Sequence, residues 1–305
     1  MTMRDRFYAL AADALQSDER VAMVFAEIGV AQMPRHPRMF NVGIREQLMI
    51  GVAAGLALEG YRPVVHSYAP FVVERPYEQI KLDLGHQDVG AILVSNGASY
   101  DAARSGRTHQ APEDVAVLAA LPGWTIEVPG HPDEVERVFT RALAGDDRVY
   151  IRLSEEANHA PVQKDGLVVL REGSDAAPFV IAVGPTLAEA LVATADLDAT
   201  VAYLATVRPF PHEALLGALR GTDVVLVEPY LAGTSAAEVS AALTDRPHRL
   251  LSLGVPNAEF RRYGKPEEHR AAHGLDAAGI RASLERFAGR VPAGRALVSD
   301  TATMS

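Results

Sequence analysis

Cysteine is absent from the 305 residues. Its absence excludes disulfides, thiol nucleophiles and thiolate metal sites together, and it fits a reducing cytoplasm. Long apolar runs are missing too. The longest nearly apolar stretch, Leu48 to Leu58, contains small Gly and Ala residues and is too short to cross a bilayer. The opening MTMRDRFYALAADAL carries Arg4, Asp5 and Arg6 with no apolar run behind them, so it does not read as a secretory leader. Basic residues are in deficit. The 29 Lys and Arg against 39 Asp and Glu leave a net charge of −10, which argues against nucleic acid as a partner. No G-x-S-x-G, Walker A, H-E-x-x-H or strand-linked G-x-G-x-x-G occurs.

The chain does have enough apolar substance for sizeable cores, with 48% hydrophobic and 22% charged residues. Its length suits about two domains at roughly 150 residues each. Strand-like runs (Val21 to Phe25, Met39 to Val42, Pro63 to Ser67, Val89 to Ser95, Thr125 to Val128, Val149 to Leu153) alternate with helical patterns (Arg6 to Leu15, Ile44 to Leu58, Val72 to Leu84, Pro112 to Ala120, Pro132 to Ala144). Alternation of this kind means βαβ units and a parallel sheet. Periodicity is lost from Glu155 to Ser174. A second βα series then runs from Phe179 through Val201 to Leu204, Val224 to Val227 and Leu250 to Leu253, ending in a helix over Ala277 to Phe287. The expected fold is α/β, two consecutive three-layer domains with mostly parallel sheets. Domains are expected over 1–160 and 175–290, with a linker over 161–174 and a loose tail over 291–305. His269 and His273, four apart beside Glu267, Glu268 and Arg270, read as a solvated helix face rather than a metal pair.

The segment RMFNVGIREQLMIGVAAGLALEGYRPVVHSYAPFVVERPYEQI (38–80) stands apart. Glu46 opens a helix whose later residues are almost all apolar or small, and a carboxylate there is costly without a partner or a task. With THQAPEDVAVLAALPGWTIEVPGHPDE (108–134), this segment resembles the pyrimidine-binding half of transketolases. Related halves occur in deoxyxylulose-phosphate synthases and 2-oxoacid dehydrogenase beta subunits. The resemblance covers roughly residues 4 to 160. Residues 175 to 290 resemble the family's C-terminal domain, with HGLDAAGI at 273–280.

The resemblance implies thiamine diphosphate as cofactor. Activation of that cofactor requires a proton at N1′ of its pyrimidine, which a carboxyl group in a dry pocket can share. Glu46 matches the activating glutamate, Phe71 the stacking aromatic, Tyr68 a nearby wall, and His109 a histidine near the cofactor's amino group. No Gly-Asp-Gly motif for Mg²⁺ and diphosphate occurs in the chain. The resemblance therefore implies the C-terminal half of a split transketolase. An N-terminal transketolase-like partner would carry that motif and hold the Mg²⁺, in a heterotetramer whose activity depends on both chains. No metal ligand is expected in this chain.

The substrate side departs from the family pattern. Glu155 falls where a phosphate-gripping Arg stands, Ser105 where a hydroxyl-reading Asp stands, and Ala31 where a serine stands. Arg4 matches a phosphate-contacting arginine, and Arg104 or Arg107 are candidates to substitute. The expected function is transfer of a two-carbon ketol unit to an aldehyde-type acceptor in a specialised pathway. The alternatives are a 2-oxoacid decarboxylase or dehydrogenase beta-type subunit, a deoxyxylulose-phosphate-synthase-like enzyme, and a regulatory subunit that kept the fold.

Overall fold

The computed structural model describes residues 1–289; the tail expected over 291–305 lies outside them. The first series of elements is α1 (Met3–Ser17), β1 (Val21–Phe25), β2 (Met39–Asn41), α2 (Glu46–Leu58), β3 (Arg62–Tyr68), the short α3 (Tyr77–Gln79), β4 (Ile92–Asn96), α4 (Asp114–Ala119), β5 (Trp124–Glu127), α5 (Pro132–Ala144) and β6 (Arg148–Arg152). The second is β7 (Leu167–Arg171), β8 (Phe179–Val183), α6 (Leu187–Ala193), β9 (Thr200–Leu204), β10 (Thr206–Arg208), α7 (His212–Ala218), β11 (Asp223–Leu231), α8 (Ala236–Ala242), β12 (Arg249–Val255), α9 (Pro266–Ala272) and α10 (Ala277–Phe287).

Two sheets result, in the orders β10-β5-β6-β4-β3-β1-β2 and β12-β11-β8-β9-β7. All pairings are parallel except those of the edge strands β10 and β7. Strands β1, β4 and β8 are buried along their whole length, as parallel strands covered on both faces must be. Apolar residues of α1 and α5 cover one face of the first sheet. A second cluster joins α2 and α4 to the second sheet through residues such as Phe179, Phe210 and Tyr230.

Two features differ from the expectation. Leu167–Arg171 is an edge strand inside the stretch read as linker, pairing antiparallel with β9. Thr206–Arg208, read as no element, leaves the second series and pairs antiparallel with β5 of the first sheet. Both are short strands defined by a partner distant in sequence, which leaves no periodicity of their own to read.

At the centre lies a buried ion pair. Arg152 Nε donates to Asp114 Oδ2 at 2.8 Å, with the two side chains 1% and 0% exposed. Tyr150 donates to the same oxygen at 2.7 Å and accepts from Ser95. Removing one partner strands a buried charge, which typically costs about 3–5 kcal/mol. Asp114→Ala is therefore expected to lower unfolding free energy in urea by about that amount. Loss of the exposed Lys265–Glu267 pair should stay within roughly 0.5 kcal/mol.

Candidate active site

The residues in question gather at the C-terminal ends of β3, β4 and β6, where open parallel sheets form their crevices. Beyond Tyr68 the chain enters a widened turn over Pro70–Glu74, in which the Arg75 N–H reaches back five residues to the Pro70 carbonyl at 3.0 Å. A second such turn covers Ile80–His86, so the helix expected over 72–84 is one α-helical turn between two π-helical ones. Turns of this kind recur at functional sites. This one puts Phe71 and Arg75 on the same side, with the guanidinium carbon 4.0 Å from the Phe71 ring centre.

Glu46, the first residue of α2, is 3% exposed. Arg75 Nη1 donates to its Oε1 at 2.6 Å, and Arg75 is its one ion-pair partner among the described residues. Phe71 links this pair to a cluster of three rings. Phe71 and His109 lie 5.0 Å apart, Tyr68 and His109 5.6 Å, Tyr68 and Phe71 6.3 Å, all edge to face. Thr108 Oγ1 lies 2.9 Å from His109 Nδ1, which leaves Nε2 available to a ligand. Gly97, at φ +66°, permits the packing of Tyr68: a Cβ there would stand 2.3 Å from the tyrosine ring.

Beside the rings, a cavity of about 330 Å³ is lined by Arg4, Tyr68, Asn96, Gly97, Ser154 and Glu155 among others. The Arg4 side chain makes no hydrogen bond or ion pair with the described residues, and Glu155 is exposed at the cavity. The cavity wall is held from behind. Buried Asp101 accepts from the Glu155 N–H at 2.9 Å and from Ser154 Oγ at 3.3 Å. Asn96 and Tyr8 both donate to His66 Nε2, while His66 Nδ1 donates to the Val94 carbonyl. Burial lowers the pKa of that imidazole to about 4, so it stays neutral.

Residues 2–159 match the family described as the transketolase pyrimidine binding domain. The chain belongs to the transketolase family. It is 49% identical over 287 residues to a 33.6 kDa protein in the fasciation locus of Rhodococcoides fascians, itself uncharacterized, covering 90% of this chain and 91% of that one. It is 31% identical over 277 residues to the 6-deoxy-6-sulfo-D-fructose transketolase subunit SqwH of Clostridium sp. (strain MSTE9), covering 83% of this chain and 84% of that one. Against a 1-deoxy-D-xylulose-5-phosphate synthase of Pseudomonas aeruginosa (strain LESB58), identity is 33% over 84% of this chain but only 42% of the synthase. The chain thus spans under half the length of that relative. Among solved structures, a split gene transketolase in an inactive beta4 tetramer superposes with a TM-score of 0.79 at 23% identity, over 94% of this chain and 97% of that one. That likeness concerns the fold.

Of the residues singled out in the sequence, Glu46 (through Arg75), Tyr68, Phe71 and His109 share one ring-lined cluster, and Arg4, Tyr68 and Glu155 share the adjoining cavity. Ser105 and Arg107 do not line that cavity. Arg107 is turned to Glu113 at 2.7 Å and to the Gln110 carbonyl at 2.7 Å. Ser105 is exposed, its carbonyl accepting from Thr108. His269 and His273 do not form a solvated face. His269 is fully buried, and both imidazoles pack against Tyr100 from the loop after β4 and Phe260 from the segment before α9. Sequence reasoning missed Arg75, Asp101 and His66. Arg75, a basic residue four positions after Phe71, was a readable signal, whereas Asp101 shows its importance only through burial.

Burial pushes the Asp101 carboxyl up to about 8, against the lowering effect of the Glu155 N–H. Unfolded, an aspartate titrates near 4, so between about pH 4 and 8 the folded chain holds one proton more. The resulting stabilisation is full below the unfolded value and is lost as pH rises through about 8. Asp101→Asn is expected to flatten the fall of the urea midpoint between pH 5 and 8. A profile parallel to that of the wild type would remove Asp101 as its source.

Proposed function

We propose that this chain is the C-terminal subunit of a two-component, thiamine diphosphate-dependent transketolase that transfers a two-carbon ketol unit to an aldehyde-type acceptor. The observation carrying the reading is Glu46, a buried carboxylate opening a helix beside a half-box of aromatic rings. The donor set suits an aminopyrimidine, with ring faces for stacking and a carboxylate for a ring N–H. When bound, the cofactor supplies the carbanion chemistry, and the protein supplies orientation, protonation state and exclusion of water. Glu46 would hold a proton at N1′, Phe71 and Tyr68 would seat the ring, and His109 Nε2 would face the amino group or the substrate. On this reading residues 1–160 form the pyrimidine-binding domain, 161–174 the connection, and 175–290 the C-terminal domain.

A partner chain is supported by the likeness to a protein named as a transketolase subunit and to a split gene transketolase. The present chain covers nearly all of a split-gene relative and less than half of a single-chain synthase. The sequence holds no Gly-Asp-Gly, so Mg²⁺ and the diphosphate would be held mainly by an N-terminal partner chain, the two assembling as a heterotetramer. Ile44, two residues before α2, and Leu48 in its first turn are 74% and 47% exposed, an apolar surface flanking Glu46 in sequence and suited to such a partner. No helix among the described residues is long and apolar enough to cross a membrane. We place the enzyme in the cytoplasm, acting on small molecules.

Calorimetry with Mg²⁺ is the direct test. The chain alone should bind thiamine diphosphate weakly and show no turnover, while the assembled pair should do both. Glu46→Gln in that pair should lower turnover by about 10²–10⁴ without releasing the partner. Tight binding by the chain alone would refute the divided site. The acceptor gives a second outcome. With Glu155 opposing a phosphate in the cavity, an unphosphorylated aldehyde should outperform the matching aldose phosphate. Glu155→Arg should raise kcat/KM for the phosphate by about ten- to a hundredfold, the range of a charge-assisted hydrogen bond. A hundredfold preference of the wild type for the phosphorylated acceptor would end the specialised-substrate reading.

A further inference from the structure

The position of Arg75 goes beyond the pairing of two charges. Its guanidinium lies over the Phe71 ring at 4.0 Å and donates to Glu46 at 2.6 Å. These are the two groups that, on the function proposed above, would stack and hydrogen-bond the cofactor's pyrimidine. A guanidinium is planar, carries a delocalised positive charge and offers N–H donors in its plane. A pyrimidine protonated at N1′ has the same three properties. We propose that Arg75 is an internal stand-in for the cofactor ring, seated on Phe71 and Glu46 in the chain without cofactor, and that it must leave this seat for the ring to enter.

The surroundings suit a side chain that exchanges places. The Arg75 side chain is 44% exposed while the Glu46 side chain is 4% exposed, so the cation reaches in from solvent towards a fixed, buried acid. Its backbone is anchored independently: the N–H donates to Pro70 and the carbonyl accepts from Gln47 Nε2 at 3.2 Å. The side chain can therefore swing out without disturbing the turn that presents Phe71. Among the described residues the guanidinium has no second carboxylate to hold it. Occupation of the seat weakens apparent affinity by the fraction of time the seat is open, so a seat filled about nine-tenths of the time weakens it about tenfold.

The test measures binding of thiamine diphosphate with Mg²⁺ to the assembled complex, and of 4-amino-2-methylpyrimidine to the full chain alone. Arg75→Ala should tighten both by about tenfold or more. Arg75→Lys, which keeps the charge but loses the stacking plane, should fall between, and it remains informative if the alanine variant folds poorly. Millimolar guanidinium chloride should weaken pyrimidine binding to Arg75→Ala more than to the wild type, whereas sodium chloride at equal ionic strength should not. If the wild type binds and Arg75→Ala binds equally or more weakly, the stand-in is overturned while the cofactor reading survives. If no variant binds either probe, even in the complex, the cofactor reading fails and the stand-in with it.

Discussion

The buried pair of Asp114 and Arg152 fixes the distances on which the rest of the site depends. It joins the first residue of α4 to the last residue of β6, and Arg152 passes the constraint on by donating to Ser99 Oγ at 2.6 Å. Ser99 has φ +48°, an uncommon conformation for a residue with a side chain, and its hydroxyl donates in turn to the Pro229 carbonyl. One guanidinium thus holds the loop after β4 in a strained shape and ties it to β11 of the second sheet. The Tyr230 ring, 5.5 Å away, adds a cation–π contact from the same strand. A buried pair is weak evidence for net stability, but it specifies one arrangement because every alternative leaves a charge without a partner.

That arrangement divides the crevice between two kinds of chemistry. Around Glu46 the surfaces are aromatic and nearly dry, which suits a flat heterocycle. Around Arg4 and Glu155 they are charged and open, which suits a small polar reactant. Tyr68 belongs to both, and Gly97 beneath it keeps the two compartments adjacent. The neutral His66 behind the wall fits the same logic. Its two nitrogens are committed to Val94 on one side and to Tyr8 and Asn96 on the other, so it positions Asn96 without bringing a charge to the cavity.

The alternation of βα units and most of the strands were legible in the sequence, because strands buried on both faces read as continuous apolar runs. Glu46 was legible for a different reason: a carboxylate at the start of an apolar helix conflicts with burial, and such conflicts mark places where a task outweighs local preference. Hidden features share a cause. Strands β7 and β10 exist through partners distant in the chain. The spacing of His269 and His273 tells that they share a face, not that Tyr100 and Phe260 will cover it. The apolar pattern of 72–84 predicts a helix but not the extra residue in each turn, and that widening places Arg75 over Phe71.

On the proposed reading, the same widening bears on how a chain holding half of a divided site survives alone. A carboxylate as buried as Glu46 is costly when it has no counter-charge, and the cofactor that would supply its partner needs a second polypeptide on the reading proposed above. A fixed, fully buried arginine would satisfy the acid but block the site. A solvated lysine would leave the aromatic face bare. A half-exposed arginine on a separately anchored turn meets both needs, covering the ring and pairing with the acid, while keeping a route back to water. On the proposed reading, the cation at the mouth of the site answers to a divided cofactor, because an acid meant to activate the ring has to be kept paired until the ring arrives.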